Sequence, residues 1–326
     1  MDLEEGTREF HNLLSKIHPR LLPQFISWIQ DHVEVLERDL LDNTDDDDDD
    51  YDDNVENTDV ILESIRDDLR QIIPFSGIFP SENIVSPTIG PNSDCTPQTT
   101  VHIDAFLYEE DDLKTLESDG KVSLSYCKDC NSKNVGPFTL ITHSASQAQV
   151  KYIFQYLLPD LTGKTLLDVG SRFGPMLYGA YLLTNANIEG VEIDENLCKI
   201  QQQIIKKYQF DDRIRIYHND ILDRADLLEK ADIIILNNVF EFFMPLETQT
   251  KVWQFLSSHV TRRGVMLITH PSIEESLKYL KVDIKVNNWM KEIDISSHLS
   301  KASLLLLGKR LPSETDLINL HLYETL

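Results

Sequence analysis

Four residues that could recognise a nucleoside-like ligand stand at the ends of apolar runs. Asp168 closes "TLLDV", Glu192 closes "IEGVE", Asp220 follows "RIRIYHN", and Asn237 ends "DIIILN". After Asp168 comes the loop Gly170-Ser171-Arg172-Phe173-Gly174. Its glycines would let the backbone approach a ligand closely. An acid at the second tip suits a ribose with both hydroxyls free, and an acid after the third run can accept an adenine amino group. The competing reading is that each tip acid caps the helix behind it. Arg172 occupies the place where a central glycine is more familiar. Its backbone is expected to keep a negative φ, with its guanidinium reaching a ligand carboxylate, pairing with an acid such as Glu241, or pointing to solvent. Three more polar residues follow the fourth and fifth runs: Asn238 and Glu241 in "NNVFEFF", and His270 in "THPS". Asn238 could hydrogen-bond an amine, and His270 could act as a base. For the phenylalanines between them the plainer expectation is core packing, and for His270 a surface or capping role.

These residues need elements to hold them. Strands are expected at 165–169, 188–193, 213–218, 232–237 and 264–269, with helical stretches between, such as 194–209. Continuous apolar strands alternating with helices imply a doubly wound α/β fold, its parallel sheet covered on both faces. Ligands then sit outside the carboxyl ends of the strands. Two further strands are expected at 285–296 and 302–312.

The motifs "LLDVGSRFG", "GVEIDENL", "NDIL" and "ADIIILNNVFEFF", in this order, resemble those of class I S-adenosylmethionine-dependent methyltransferases. The resemblance covers about 146–310. It implies a mostly parallel seven-stranded sheet with an antiparallel C-terminal hairpin, which 285–296 and 302–312 would supply, Lys309 and Arg310 closing the last strand. It implies S-adenosyl-L-methionine as cofactor. Asp168, Gly170 and Gly174 would then hold the methionine part, in the loop that also carries Ser171 and Arg172. Glu192 would bind the ribose, Ile193 would pack on the adenine, and Asp220 with the backbone of Ile221 would read its edge. Asn237 would line the floor below the methionine moiety. The methyl acceptor, protein or small molecule, is not read from the sequence. An NAD-linked reading expects G-x-G-x-x-G, whereas this loop is Gly-x-x-x-Gly. The alternative function is a non-catalytic binding or regulatory protein of the same fold.

The remainder of the chain divides by composition. Residues 1–41 carry apolar residues at helical spacing, interrupted by Pro19 and Pro23. Residues 42–54 form an acidic tract expected to be disordered. Residues 55–98 read as a helix (55–73) and a Pro/Ser-rich linker. Residues 99–145 read as a small module containing Cys127 and Cys130, and 146–326 as the methyltransferase domain, opening with a helix over 146–159. In this scheme the N-terminal part is a helical extension. The C-x-x-C pair, with His102 and His143, could form a zinc site, although one pair is fewer than such sites ordinarily use; the plainer reading is a tight turn. Ser144, Ser146 and His143 are candidate contacts of a lid over the cofactor.

Net charge is −25, and residues 1–136 hold 32 of the 55 acids against 10 of the 30 basic residues. That excess argues against nucleic-acid binding, which needs a basic footprint, and suits a basic protein partner. No apolar run is long enough for a membrane span, and the first residues do not read as a signal peptide. An intracellular setting, cytoplasmic or nuclear, is expected, with reduced cysteines.

Overall fold

The structure, a computed structural model, describes residues 50–90, 92–128, 134–296 and 319–326, together with Arg8 and Lys16. Four short strands precede the main sheet. They are β1 (Thr100–His102), β2 (Ser125–Cys127), β3 (Val135–Pro137) and β4 (Thr139–Ile141). β1 pairs in parallel with β4, and β2 pairs antiparallel with β3.

Seven strands then share one sheet: β5 (Thr165–Val169), β6 (Asn187–Glu192), β7 (Ile214–His218), β8 (Ile233–Asn237), β9 (Met266–His270), β10 (Met290–Ile293) and β11 (His321–Thr325). Their order is β10-β11-β9-β8-β5-β6-β7. β7, β6, β5, β8 and β9 run parallel, and β11 is antiparallel to both β9 and β10. The chain steps outward from β5 in both directions, so a crevice opens where β5 and β8 end side by side. The five parallel strands fall within two residues of their expected positions. The seven-stranded sheet and its antiparallel hairpin are as expected, but the hairpin uses different residues. Val286–Trp289 is a short helix, only Met290–Ile293 is strand, and its partner is His321–Thr325 rather than 302–312. Residues 302–312, with Lys309 and Arg310, lie outside the described residues. β11 escapes an apolar search because it buries polar groups that are satisfied locally. Thr325 Oγ1 accepts from Val265 N at 2.8 Å and donates to the Arg262 carbonyl at 2.6 Å. The Tyr323 hydroxyl donates to Glu274 at 2.8 Å.

A helix spans Asp50–Arg70, starting within the tract expected to be disordered and ending before Pro74, which cannot continue it. The rest of that tract, and the helices expected over 1–41 apart from Arg8 and Lys16, lie outside the described residues. Leu62, Ile65 and Leu69 are fully buried on one face of the helix, in the same cluster as Ile153, Leu177 and Ile188 of the sheet domain. Each such side chain contributes about 1.5–3 kcal/mol through burial. Asp68 ties the helix to Lys207 and Tyr208, and Arg70 donates to Asp112 and to the Leu107 carbonyl at 2.6 Å each. The helix expected over 146–159 starts on a Ser146–Gln149 capping box, is α-helical over Gln147–Lys151, and widens to π-type turns over Tyr152–Leu157.

Candidate functional site

The loop after β5 is built against the tip of β6. Gly170 N and Ser171 N both donate to the Val191 carbonyl, at 2.8 and 3.2 Å. Arg172 N donates to Glu192 Oε2 at 2.8 Å, and Asp194 N donates to Glu192 Oε1 at 2.9 Å. Each oxygen of Glu192 thus takes one backbone N–H and keeps a lone pair. The helix behind β6 is capped by Asp194, which accepts from Asn196 and Leu197. That leaves Glu192 free of capping duty. Asp220 does cap: its Oδ1 accepts from Leu222 N at 3.0 Å and opens the turn Ile221–Asp223. Ile193, an apolar side chain beside Glu192, is 59% exposed. Asp168 is 4% exposed, and burial together with the nearby Glu192 charge pushes its carboxyl up to about 8. Burial raises Glu192 as well.

Gly170, Arg172 and Gly174 all have positive φ, at 70°, 49° and 95°. The expected negative φ at Arg172 is therefore wrong. The left-handed turn is held from both sides: Arg172 N bonds Glu192, while the Arg172 carbonyl accepts from Gln201 Nε2. Gln201 in turn accepts from Ser171 Oγ at 3.0 Å and is fully buried. A Cβ on Gly170 would strike the Val239 side chain, so Val239 lies directly over the loop.

The Arg172 side chain turns away from Glu241 and from solvent. Its Nε and Nη2 bond Glu82 at 3.0 and 2.9 Å, and Nη2 also donates to the Gly77 carbonyl at 2.5 Å. Nη1 donates to Ser144 Oγ at 3.3 Å and stands 3.7 Å from Asp104 Oδ2. The expected contact of Arg172 with a cofactor carboxylate is replaced by this buried cluster. It clamps residues 77–82, 104 and 144 onto the loop. Glu241 pairs instead with Asn92, whose Nδ2 donates to Oε2 at 3.0 Å.

At the ends of β8 and β9, Asn238 has φ 51° and donates its backbone N–H to the His270 carbonyl at 2.7 Å. Asn238, Glu241 and His270 all line one cavity of about 870 Å³, walled on its other side by residues 85–90 and Asn92. Val85 N fixes that wall to the Phe242 carbonyl at 2.7 Å. Phe240 and Phe242 are buried, Phe240 edge-on to Trp253 at 5.9 Å, as core packing requires.

Cys130, half of the pair expected to bind zinc with Cys127, His102 and His143, lies outside the described residues, and among the described residues no group of three or more His, Cys, Asp or Glu side chains could hold a metal. His102 Nδ1 and His143 Nε2 lie 2.9 Å apart and hydrogen-bond one another, their rings stacked and packed edge-on against Phe242. Cys127 is exposed on β2. Burial and the charge of Arg172 push His143 down to about 3.

Sequence reasoning missed Glu82, Asp104, Gln201, Asn92 and Val239. Gln201 had a signal: it sits on the apolar face of its helix with Leu197 and Ile204. Glu82 and Asp104 had none, being two acids among many.

Comparison with known proteins gives the following. The family model described as a methyltransferase domain matches residues 160–311. The ribosomal protein L11 methyltransferase of Desulforamulus reducens is 27% identical over 84 residues, which are 26% of this chain and 27% of that protein. The chain therefore spans about a quarter of that relative's length. Among solved structures, an RNA methyltransferase from Salinibacter ruber, in complex with S-adenosyl-L-homocysteine, is 15% identical with a TM-score of 0.34, covering 55% of this chain and 88% of that one. Geranyl diphosphate methyltransferase in complex with SAM is 15% identical with a TM-score of 0.34, covering 55% and 84%.

Proposed function

We propose that the protein is an S-adenosylmethionine-dependent methyltransferase, a reading supported by the match of residues 160–311 to the methyltransferase-domain model. The observation that carries the reading is the meeting of Asp168, Gly170, Glu192 and Ile193 at neighbouring strand ends. Asp168 and Glu192 are two buried carboxyls, both pushed up, which a cationic ammonium and a pair of hydroxyls would relieve. Ile193 offers an apolar face to water at the same tip, as a surface for a purine would. The donor set therefore fits the cofactor.

In this reading Asp168 takes the cofactor's ammonium, Glu192 its ribose hydroxyls, and Asp220 with Ile221 the edge of its base. Gly170, Ser171 and Gly174 bring the backbone close, and Asn237 lies beneath. Arg172 acts at one remove: it pins the segment above the loop and offers its backbone N–H to orient Glu192. When bound, S-adenosylmethionine supplies an electrophilic methyl group on a sulfonium, so the protein's task is alignment. Asn238, Glu241 and His270, gathered around one cavity, would orient the acceptor and take up its proton. Among the described residues no helix is long and apolar enough to cross a membrane. The acidic N-terminal half favours a basic protein as a further partner over nucleic acid, in an intracellular setting.

Isothermal titration of the full chain with S-adenosylmethionine, beside NAD as control, tests the reading. Binding of S-adenosylmethionine alone, lost in Glu192→Ala, is expected. No heat with S-adenosylmethionine, or unchanged affinity in Glu192→Ala, would sink it.

A further inference from the structure

The 870 Å³ cavity is larger than a methyl acceptor's reacting atom requires, and its walls have a definite chemistry. Its volume lies in the range of small-molecule sites. The deep end is apolar, with Leu236, Phe240 and Trp253 buried around it. A flat or branched apolar body would fill this end without stranding polar groups.

The polar lining is unbalanced. Glu241 stands in the wall with its carboxyl partly buried and raised by that burial, and among the described residues it accepts from the neutral Asn92 amide. Glu247 and Glu275 stand exposed at the mouth, against a single ammonium, Lys278. A carboxylate partly withdrawn from water, with only an amide for company, is stabilised by a cation. A second observation lies deeper. Thr269 Oγ1 is buried in the cavity wall with no hydrogen-bond partner among the described residues. A buried hydroxyl without a partner is costly, and a ligand amine or hydroxyl would satisfy it.

We infer that this cavity takes a small molecule with an apolar body and a cationic amine, the amine lying against Glu241 and the body against Phe240 and Trp253. The wall made by residues 85–90 and Asn92 lies in the chain before the residues that match the methyltransferase-domain model, 160–311. Ligand choice thus depends on residues outside the domain that would carry the transfer. That this amine is also the methyl acceptor rests on the function proposed above; that it binds does not.

The test uses the full chain and three probes that share a phenylalkyl body and carry a cationic, a neutral or an anionic head group: phenylbutylamine, phenylbutanol and phenylbutyrate. Affinity measured by calorimetry is expected to fall in that order. Glu241→Gln should weaken the amine about tenfold and leave the alcohol unchanged, so the alcohol doubles as a check that the variant is folded. Glu275→Lys, at an exposed position, should weaken the amine and strengthen the acid. The inference is overturned if phenylbutyrate binds as well as the amine, if none of the three binds, or if both variants leave the amine untouched. S-adenosylmethionine titrated into the same preparation separates the two readings. Amine binding without cofactor binding removes the proposed function and keeps this site; the reverse keeps the function and removes the site.

Discussion

The Arg172 guanidinium and the Glu82 carboxylate meet at 2.9 Å, with side chains only 8% and 6% exposed. They come from opposite sides of the molecule's sequence plan: one from the loop after β5, the other from a stretch that reads as a linker. The pair converts that linker into a fixed cover. Glu82→Gln should lower stability by about 3–5 kcal/mol, because it leaves a buried guanidinium short of a counter-charge. Urea unfolding followed by circular dichroism measures it. A loss well under 1 kcal/mol would mean that Asp104 alone holds Arg172.

Asp168 gives the ligand-free protein a pH dependence of unusual sign. Its carboxyl is raised to about 8 from an ordinary 3.8. The folded state therefore holds a proton that the unfolded state releases, and the contribution of neutral Asp168 is lost as pH rises through about 8. The melting temperature should decline between about pH 5 and pH 8 and level off above that, and Asp168→Asn should flatten that limb. Because a bound ammonium favours the carboxylate, cofactor affinity should rise over the same interval.

His143 acts at the other end. It is held down to about 3 from an ordinary 6.5 by burial and by Arg172. The unfolded chain protonates this residue as pH falls through 6.5, while the folded chain refuses the proton, so stability is lost from that point toward 3. Urea midpoints at pH 7 and pH 5 should differ less in His143→Gln than in the parent chain.

The helix Asp50–Arg70 is predicted to be part of the folding unit rather than an appendage. Leu69→Ala should cost about 2–5 kcal/mol in a single transition, since Leu69 is fully buried in the same core as β6. A separate early transition, with the main one unmoved, would show that the helix folds independently.

The parallel strands were legible because each is an apolar run ending in a polar tip, and those tips supplied Asp168, Glu192, Asp220 and Asn237. The glycine loop was legible for the same reason. Arg172 was visible as an oddity, but its partner was not. Glu82 and Asp104 are ordinary acids in an acidic half, and only the fold brings them against Arg172. His102 and His143 illustrate the converse: a spacing that suits ligands produced a stacked pair bonded to itself. β11 was hidden because its buried Thr325 and Tyr323 look polar in sequence and become inward-facing only through the bonds they make.

The place of β11 carries a consequence for synthesis. Strand β9 is complete at His270, yet the neighbour that covers its outer edge begins only at His321. At about 5–20 residues per second, a nascent chain presents that open row of amides and carbonyls for several seconds before its cover emerges. During that interval the outer edge of β9 offers an unpaired strand edge of the kind that invites pairing with another chain.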